Sequence, residues 1–341
     1  MCSSDLDFGK FTAGQKSTVF KNAPAGFTFP GDAGFEGQAG MNKRWGNFGP
    51  RIGLAWDPKG DGRLSIRASY GLSYDFVNGQ FFINTSNAPP WGSETRLLGN
   101  VPFDNPFAGA NASANIFPVS FDVNAPFSLS GPFIALKPNT KNTGVHSWNL
   151  TIQKQIGDSW LLSASYLGNE TQHLWVSTAG NPGVLTPGAT AANLQARRVL
   201  SLTGNPDAKY IGFLDFFDDG GTQSYNGMLL SAQKRLSRGV SFQANYTLSH
   251  CIGDFTQGGQ TPNVGTGFID PNNRRYDRSP CSGGTAYSFD RRHIFNLTAV
   301  VETPKFANKN MRMVASGWKL SGIYSAQSGS PINVTTTNRS E

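Results

Sequence analysis

The strongest constraint on the fold is the stretch of residues 63–75, in which apolar and polar side chains alternate strictly. Successive side chains of a β-strand point to opposite faces, so this stretch predicts a strand with one apolar and one polar face. Strands of soluble domains usually have about 5 to 6 residues, whereas crossing a bilayer at a tilt takes about 9 to 11. The length therefore favours a membrane-spanning strand. Its apolar parity consists of Leu64, Ile66, Ala68, Tyr70, Leu72 and Tyr74.

A shorter alternating run at residues 51–56 precedes this stretch, and the turn-forming segment DPKGDG separates the two. Together they predict an antiparallel hairpin. The same design recurs three times, so the sequence predicts four hairpins and eight strands. The arms of the later hairpins are predicted at residues 148–156 and 160–166, 228–236 and 240–248, and 295–301 and 318–326.

The connections between hairpins differ from those within them. Residues 76–146, 169–223 and 250–290 are long stretches rich in Gly, Pro and Asn, whereas the turns inside the first three hairpins have only a few residues. Long loops without secondary structure are uncommon in compact soluble domains. Short turns at one rim and long loops at the other are typical of outer-membrane barrels. The predicted fold class is therefore all-β, a partial antiparallel transmembrane β-barrel with this asymmetry between its rims.

Aromatic side chains lie near the ends of the parity that we assign to the outside of the barrel. Amphipathic rings favour the boundary between lipid headgroups and hydrocarbon. The opposite parity carries Ser, Asn, Gln, Thr, Arg and Lys, which suits a water-filled interior. Nine residues are predicted to form the interface aromatics: Trp56, Tyr70, Tyr74, Trp148, Trp160, Tyr166, Tyr246, Trp318 and Tyr324.

Composition excludes other classes. The 341 residues are 38% hydrophobic, and their mean hydropathy is −0.34. No run of 18 apolar residues is present, so an α-helical membrane protein is excluded. The net charge of +7 arises from scattered Lys and Arg residues without a recognition module, and we therefore expect no nucleic-acid partner.

Five segments of the sequence, taken in chain order, resemble the barrel of TonB-dependent receptors, and the similarity is strongest to the Oar-like subgroup. That subgroup is abundant in Acidobacteria and carries an amino-terminal carboxypeptidase-regulatory-like domain. The resemblance covers roughly residues 25–335. The segments are NFGPRIGLAWDPKGDGRLSIRASYGLSYD, HSWNLTIQKQIGDSWLLSASYLGN, SYNGMLLSAQKRLSRGVSFQANYTLSH, FDRRHIFNLTAVVETP and GWKLSGIYSAQSGSPINV.

The resemblance implies a receptor in the outer membrane of a Gram-negative bacterium, in contact with its lipid. Such a receptor takes up a scarce or bulky ligand with energy passed on by the TonB–ExbB–ExbD complex, and its barrel of about 22 strands encloses a plug. The ligand class stays open between carbohydrate, peptide and siderophore. This sequence shows no TonB box, plug, closing carboxy-terminal strand or signal peptide. We therefore expect residues 1–341 to be a fragment of the barrel domain.

Cys251 and Cys281 lie at either end of the third long loop, on what should be the outer rim. In an oxidising envelope they are candidates for a disulfide, the alternative being two free thiols. The sequence contains no nucleophile motif and no metal-ligand spacing around its four histidines. Asp215, Asp218 and Asp219 are predicted to lie in a solvated acidic loop rather than in a calcium site. We expect no catalytic residue, cofactor or metal.

Two alternatives remain open. A passive porin or an adhesin-type barrel would have the same wall without energy coupling. A soluble β-rich hydrolase, such as a propeller, would have strands of about 5 residues, loops at both rims and a pair of catalytic carboxylates, and the sequence shows none of these.

Overall fold

The computed structural model describes residues 5–36, 41–76, 121–254, 273–281 and 290–332, with short pieces at 85–86, 88–92, 97, 101–109, 115 and 118. Helices in these ranges are short, and two further segments, Pro206–Tyr210 and Arg274–Asp277, are 3-10 turns. The helices are α1 (Phe8–Thr12), α2 (Leu194–Arg197), α3 (Val199–Leu202) and α4 (Lys309–Ala315). The strands are β1 (Asp5–Leu6), β2 (Phe27–Thr28), β3 (Arg51–Trp56), β4 (Leu64–Tyr74), β5 (Gly131–Leu136), β6 (Gly144–Ile156), β7 (Trp160–Ala179), β8 (Ile211–Ser237), β9 (Val240–Gly253), β10 (Ser279–Pro280), β11 (His293–Glu302) and β12 (Lys319–Gln327).

Eight strands form one antiparallel sheet in the order β3, β4, β6, β7, β8, β9, β11, β12, which we call the wall. The four predicted hairpins are the pairs β3–β4, β6–β7, β8–β9 and β11–β12, and neighbouring hairpins pair in chain order. The predicted fold class is therefore confirmed. In the described part of the chain β3 and β12 are the two edges of the wall. Unpaired backbone groups are not stable in lipid, so the edge strands of a sheet in a membrane require pairing partners.

The first hairpin shows how the sequence builds the short turns. The carboxylate of Asp57 accepts hydrogen bonds from the backbone N–H groups of Lys59, Gly60 and Gly62, at 3.2, 3.0 and 2.7 Å. Both glycines have positive φ, at 67° and 70°, a conformation that glycine adopts without steric penalty. The hydrogen bond from Gly62, followed by those from the other two amides, lowers the pKa of Asp57. The side chain thus organises the turn.

The prediction that residues 169–223 form a loop is wrong at both ends of that range. β7 continues to Ala179 and β8 already begins at Ile211, so β8 has 27 residues. At about 3.3 Å per residue β8 is roughly 90 Å long, several times the roughly 30 Å of the hydrocarbon core. The far halves of β7 and β8 therefore extend beyond the membrane on the long-loop side. Their side chains do not alternate between apolar and polar because they do not face lipid.

The long connections also build a packed unit that was not expected from the sequence. β5 lies within the expected loop of residues 76–146, is buried at every position and runs parallel to β8. Fifteen buried side chains around it form an apolar cluster, which we call the rim core. The rim core consists of Leu6, Phe11, Phe20, Ala23, Ala25, Phe27, Phe29, Ala88, Ala125, Phe127, Phe133, Leu200, Ala208, Ile211 and Leu214.

The connection inside the fourth hairpin, between β11 and β12, contains α4. The side chain of Asn308 caps this helix by accepting hydrogen bonds from the backbone N–H groups of Asn310 and Met311. Among the described residues, no helix combines the length and the apolar character that crossing a bilayer requires.

Candidate functional site

The two faces of the wall differ in exposure as well as in chemistry. On β6 and β7 the apolar parity is the more exposed one, with Leu150 at 44%, Ile152 at 43% and Leu162 at 39%. Their polar neighbours Thr151 and Ser163 are only partly exposed. Side chains diverge on the convex side of a curved sheet and converge on the concave side. The apolar parity therefore lies on the convex face, which faces lipid in a barrel, and the polar parity lines the concave face.

Strand register gathers uncharged polar side chains into one continuous row on the concave face. Each member lies directly opposite the next on the neighbouring strand, so the row crosses seven strands. Amide and hydroxyl groups in such a row can hydrogen-bond water or a polar solute. We call the row the lumen belt; its members are Ser65, Gln153, Ser163, Ser231, Asn245, Asn296 and Ser325.

A cavity of about 600 Å³ opens beside the lumen belt, toward the long-loop end. Its lining includes Arg51, Ser69, Asn149, Asn169 and Tyr225. The amide of Asn149 donates a hydrogen bond of 2.7 Å to the hydroxyl of Ser69, which fixes both side chains. A guanidinium, two amides and a phenol are groups that recognise a polar ligand. This cavity is the candidate site at which the wall contacts a ligand. Of its lining residues, only Tyr70 and Trp148 were singled out from the sequence, as interface aromatics.

A segment of the third long loop is fastened across the far half of β8. We call residues 273–281 the rim strap. Arg274 donates two hydrogen bonds to the carboxylate of Asp218, of 2.7 and 2.5 Å, and the side chain of Asp218 is only 3% exposed. Lys137 Nζ lies 3.4 Å from the same carboxylate, and Gly220 donates its backbone N–H at 2.8 Å. Two-pronged pairing of this kind fixes both position and orientation.

Burial acts on the Asp218 carboxyl in the direction that raises its pKa, but the hydrogen bonds from Arg274 and Gly220 and the nearby positive charges outweigh burial. The net effect lowers the pKa of Asp218 below its usual value of 3.8. The same hydrogen bonds raise the pKa of Arg274. The pair is therefore ionised at any ordinary pH. The predicted solvated acidic loop is thus wrong, because Asp215, Asp218 and Asp219 lie within β8 and the first two are buried.

The carboxy-terminal end of the rim strap is bound to β9. Ser279 and Pro280 form β10, which pairs with β9, and Cys281 is joined to Cys251 by a disulfide with Cα atoms 5.3 Å apart. Gln223 Nε2 lies 2.9 Å from Cys281 Sγ. The structure thus brings the two candidate cysteines together, and their pairing in the cell stays a prediction.

The end of the same loop is held by a buried carboxylate. Asp290, 6% exposed, accepts a hydrogen bond of 3.0 Å from the backbone N–H of Cys251 and lies 2.9 Å from His250 Nδ1. Arg292 Nη2 lies 3.1 Å from the same histidine nitrogen. The third long loop is therefore tied to the wall at each of its described ends.

The predicted interface aromatics all lie in wall strands or directly beside one. Three of the tyrosine hydroxyls have polar partners on a neighbouring strand: Tyr70 with His146 at 2.7 Å, Tyr166 with Asn226 at 2.6 Å, and Tyr246 with His293 at 2.8 Å. The ring of Trp160 packs against Phe242 with centroids 5.3 Å apart. Trp318 is 67% exposed, Trp56 54% and Tyr74 37%. The role of these rings at a lipid interface stays a prediction.

No cluster of three or more His, Cys, Asp or Glu side chains with the geometry of a metal site occurs among the described residues.

The buried strand β5 could have been predicted from the sequence. The run GPFIAL is short, continuously apolar and bounded by Gly and Pro, a pattern that fits a strand buried on both faces. The phenylalanines of the rim core had no such periodic pattern, since they come from segments far apart in the chain.

Comparisons with known proteins give the following findings. The family described as "Outer membrane beta barrel domain" matches residues 5–341. No curated protein sequence matches the chain. The FrpB iron transporter from Neisseria meningitidis (F3-3 variant) is similar to 76% of this chain over 25% of its own, with 12% identity and a TM-score of 0.33. The outer membrane transporter YddB from Escherichia coli is similar to 82% of this chain over 33% of its own, with 12% identity and a TM-score of 0.42. The chain spans a quarter to a third of the length of these solved structures.

Proposed function

Because the chain belongs to the outer membrane beta barrel domain family, and so lies in the outer membrane of a Gram-negative bacterium, we propose that it forms part of the wall of a TonB-dependent receptor. In this proposal residues 1–341 are a portion of a larger barrel. The receptor takes up a scarce or bulky ligand and performs no chemistry on it. The resemblance of five ordered segments to TonB-dependent receptors, strongest to the Oar-like subgroup, supports the proposal.

The observation that carries the proposal is the elaborate long-loop rim. A barrel that only lets small solutes diffuse needs little outside the membrane. Here the far half of β8 is buried against β5, a core of fifteen side chains packs beside it, and the rim strap is fastened by Asp218. A rigid rim above a polar concave face suits the capture of a specific ligand before it enters the barrel.

In the proposed mechanism the ligand first binds at the rim and then meets the cavity at Arg51, Asn149 and Tyr225. The uncharged lumen belt offers only hydrogen-bonding groups, so a polar ligand would pass along it without being held by a fixed charge. Energy supplied through TonB, ExbB and ExbD would displace a plug that is held inside the completed barrel. Carbohydrate, peptide and siderophore all remain compatible with these groups.

The test is uptake by cells that carry the full-length protein. Radiolabelled panels of maltodextrins, oligopeptides and ferric siderophores are offered to three strains: wild type, a deletion of this gene and a deletion of tonB. We expect the ligands of one panel to accumulate in wild-type cells and to fail to accumulate in either deletion strain. Accumulation that needs this protein but proceeds without TonB would refute energy coupling and favour a passive porin. If the protein binds host surfaces and transports no ligand of any panel, the adhesin alternative is favoured.

A further inference from the structure

Two lysines interrupt the apolar parity on the convex face of the wall. On β6 the outward series runs from Ile152 through Lys154 to Ile156, and on β8 Lys234 lies at the corresponding place in its strand. Each lysine is within the last four residues before a short turn. Short turns lie on the periplasmic side of outer-membrane barrels, so both lysines are near the periplasmic edge of the lipid-facing surface.

The register places the two lysines on either side of β7. Lys154 lies opposite Leu162 of β7, and Lys234 lies opposite Trp160 of β7. Measured along β7, Lys234 is therefore two positions closer than Lys154 to the turn that joins β6 and β7. From strand spacing and rise, their Cα atoms are about 12 Å apart. Barrel strands are tilted by about 40° from the barrel axis, so residues directly opposite each other on neighbouring strands lie at different depths in the membrane. A shift along the strand can cancel this difference in depth. Tyr166 on β7 and Tyr246 on β9, both predicted interface aromatics, are displaced in the same way: Tyr246 lies two register positions nearer the short turns. If these two rings lie at one depth in the membrane, the two lysines do as well.

The two ammonium groups have different surroundings. Lys234 Nζ donates hydrogen bonds of 3.1 and 3.3 Å to the backbone carbonyls of Ser237 and Val240, which draws it toward the turn and the headgroup region. Lys154 is exposed, and within the described ranges its side chain has no hydrogen-bond or ion-pair partner. Long lysine side chains near the edge of a membrane extend toward the interface in this way.

An apolar groove of about 480 Å³ begins at Lys154 on β6 and crosses the convex face to Phe295 on β11. Its floor is formed by Ala164, Ala232 and Ala244, small side chains on three adjacent strands, and Leu162 and Tyr246 form part of its sides. The groove is therefore apolar along its length, with a cation at its β6 end. This combination is complementary to an amphiphile with an anionic head.

We propose that this surface binds one anionic phospholipid of the periplasmic leaflet. The phosphate of the lipid contacts the ammonium group of Lys154, with Lys234 contributing from the other side of β7, and an acyl chain lies over the three alanines. Basic residues at the membrane surface attract anionic lipids, and the groove adds burial of apolar area. The occupant is a lipid rather than a protein partner because the groove lies on the face that contacts the bilayer.

The proposal is tested by native mass spectrometry of the full-length protein in detergent, titrated with phosphatidylglycerol or with zwitterionic phosphatidylcholine. We expect wild type to bind one phosphatidylglycerol in preference to phosphatidylcholine. Each of Lys154→Gln and Lys234→Gln should weaken phosphatidylglycerol binding about fivefold, and the double variant about 25-fold. Lys59→Gln, which removes the same charge from an exposed turn, is the matched control and should bind like wild type.

A second variant tests the groove independently of charge. Ala232→Leu fills the floor and should weaken phosphatidylglycerol binding while both lysines remain. A gel-mobility shift on heating verifies that each variant is folded. Undiminished phosphatidylglycerol binding by the Lys154→Gln, Lys234→Gln double variant, or equal binding of the two lipids by wild type, would overturn the proposal. Loss in the double variant together with full binding by Ala232→Leu would overturn the acyl-chain contact.

Discussion

Leu230→Arg and its neighbour Ser231→Arg together test which face of the wall meets lipid. Leu230 is 38% exposed on the convex face and lies opposite Ala164 and Tyr246 on the adjacent strands. It is four residues above Lys234, which corresponds to a height of about 10 Å along a tilted strand. Leu230 therefore lies in the hydrocarbon region. Ser231 is the next residue, points to the concave face and belongs to the lumen belt.

The expected magnitudes differ because only one of the two sites lacks water. An arginine on the lipid face near the midplane of a barrel destabilises it by roughly 2–4 kcal/mol, which lowers the folded-to-unfolded ratio by roughly 30- to 700-fold. An arginine at Ser231 stays in the polar interior and is expected to change stability by less than about 1 kcal/mol. The assay is guanidinium titration of the full-length protein in phosphatidylcholine vesicles, followed by tryptophan fluorescence. Equal destabilisation by both variants would refute the assignment of the faces.

Three further predictions concern the rim and the wall. Since the lowered pKa of Asp218 makes its ion pair with Arg274 stabilising above pH 3.8, the protection of rim-strap amides, measured as their exchange rate relative to that of the unfolded chain at the same pH, should fall only below that value. Asp218→Asn should abolish this pH dependence of the protection. Replacing both Cys251 and Cys281 by Ser should remove about 3 to 4 kcal/mol of rim stability in the chain-entropy model, seen as faster proteolysis of the strap, and a wild-type rate would contradict the disulfide. Gly168→Val should destabilise the wall by about 1–3 kcal/mol, because a Cβ there would lie 2.4 Å from the Trp148 ring; Gly322→Val, with no neighbouring heavy atom within 4 Å, is the control, and equal unfolding midpoints would contradict this packing.

The sequence contained less information about the rim than about the wall. The ion pair between Asp218 and Arg274 joins residues 56 positions apart, and neither residue type nor spacing distinguished Asp218 from its neighbours Asp215 and Asp219. The cavity residues Arg51 and Tyr225 are brought together only by register across the wall. A compositional reading of residues 169–223 as loop was wrong because pairing between the far halves of β7 and β8, and between β8 and β5, outweighed local preference.

The sequence by itself determined the wall, meaning its eight strands, its short turns and the face that each side chain takes. The physical reason is that a bilayer imposes its requirement locally: every second side chain must be apolar, and each residue can be assigned from its parity alone. Even the exceptions at Lys154 and Lys234 could be identified in this way. Only the tertiary structure decided the rim, where Phe11, Phe133 and Leu214 meet in one core although each comes from a different segment. Burial there depends on which distant segments meet, and no local period records that choice.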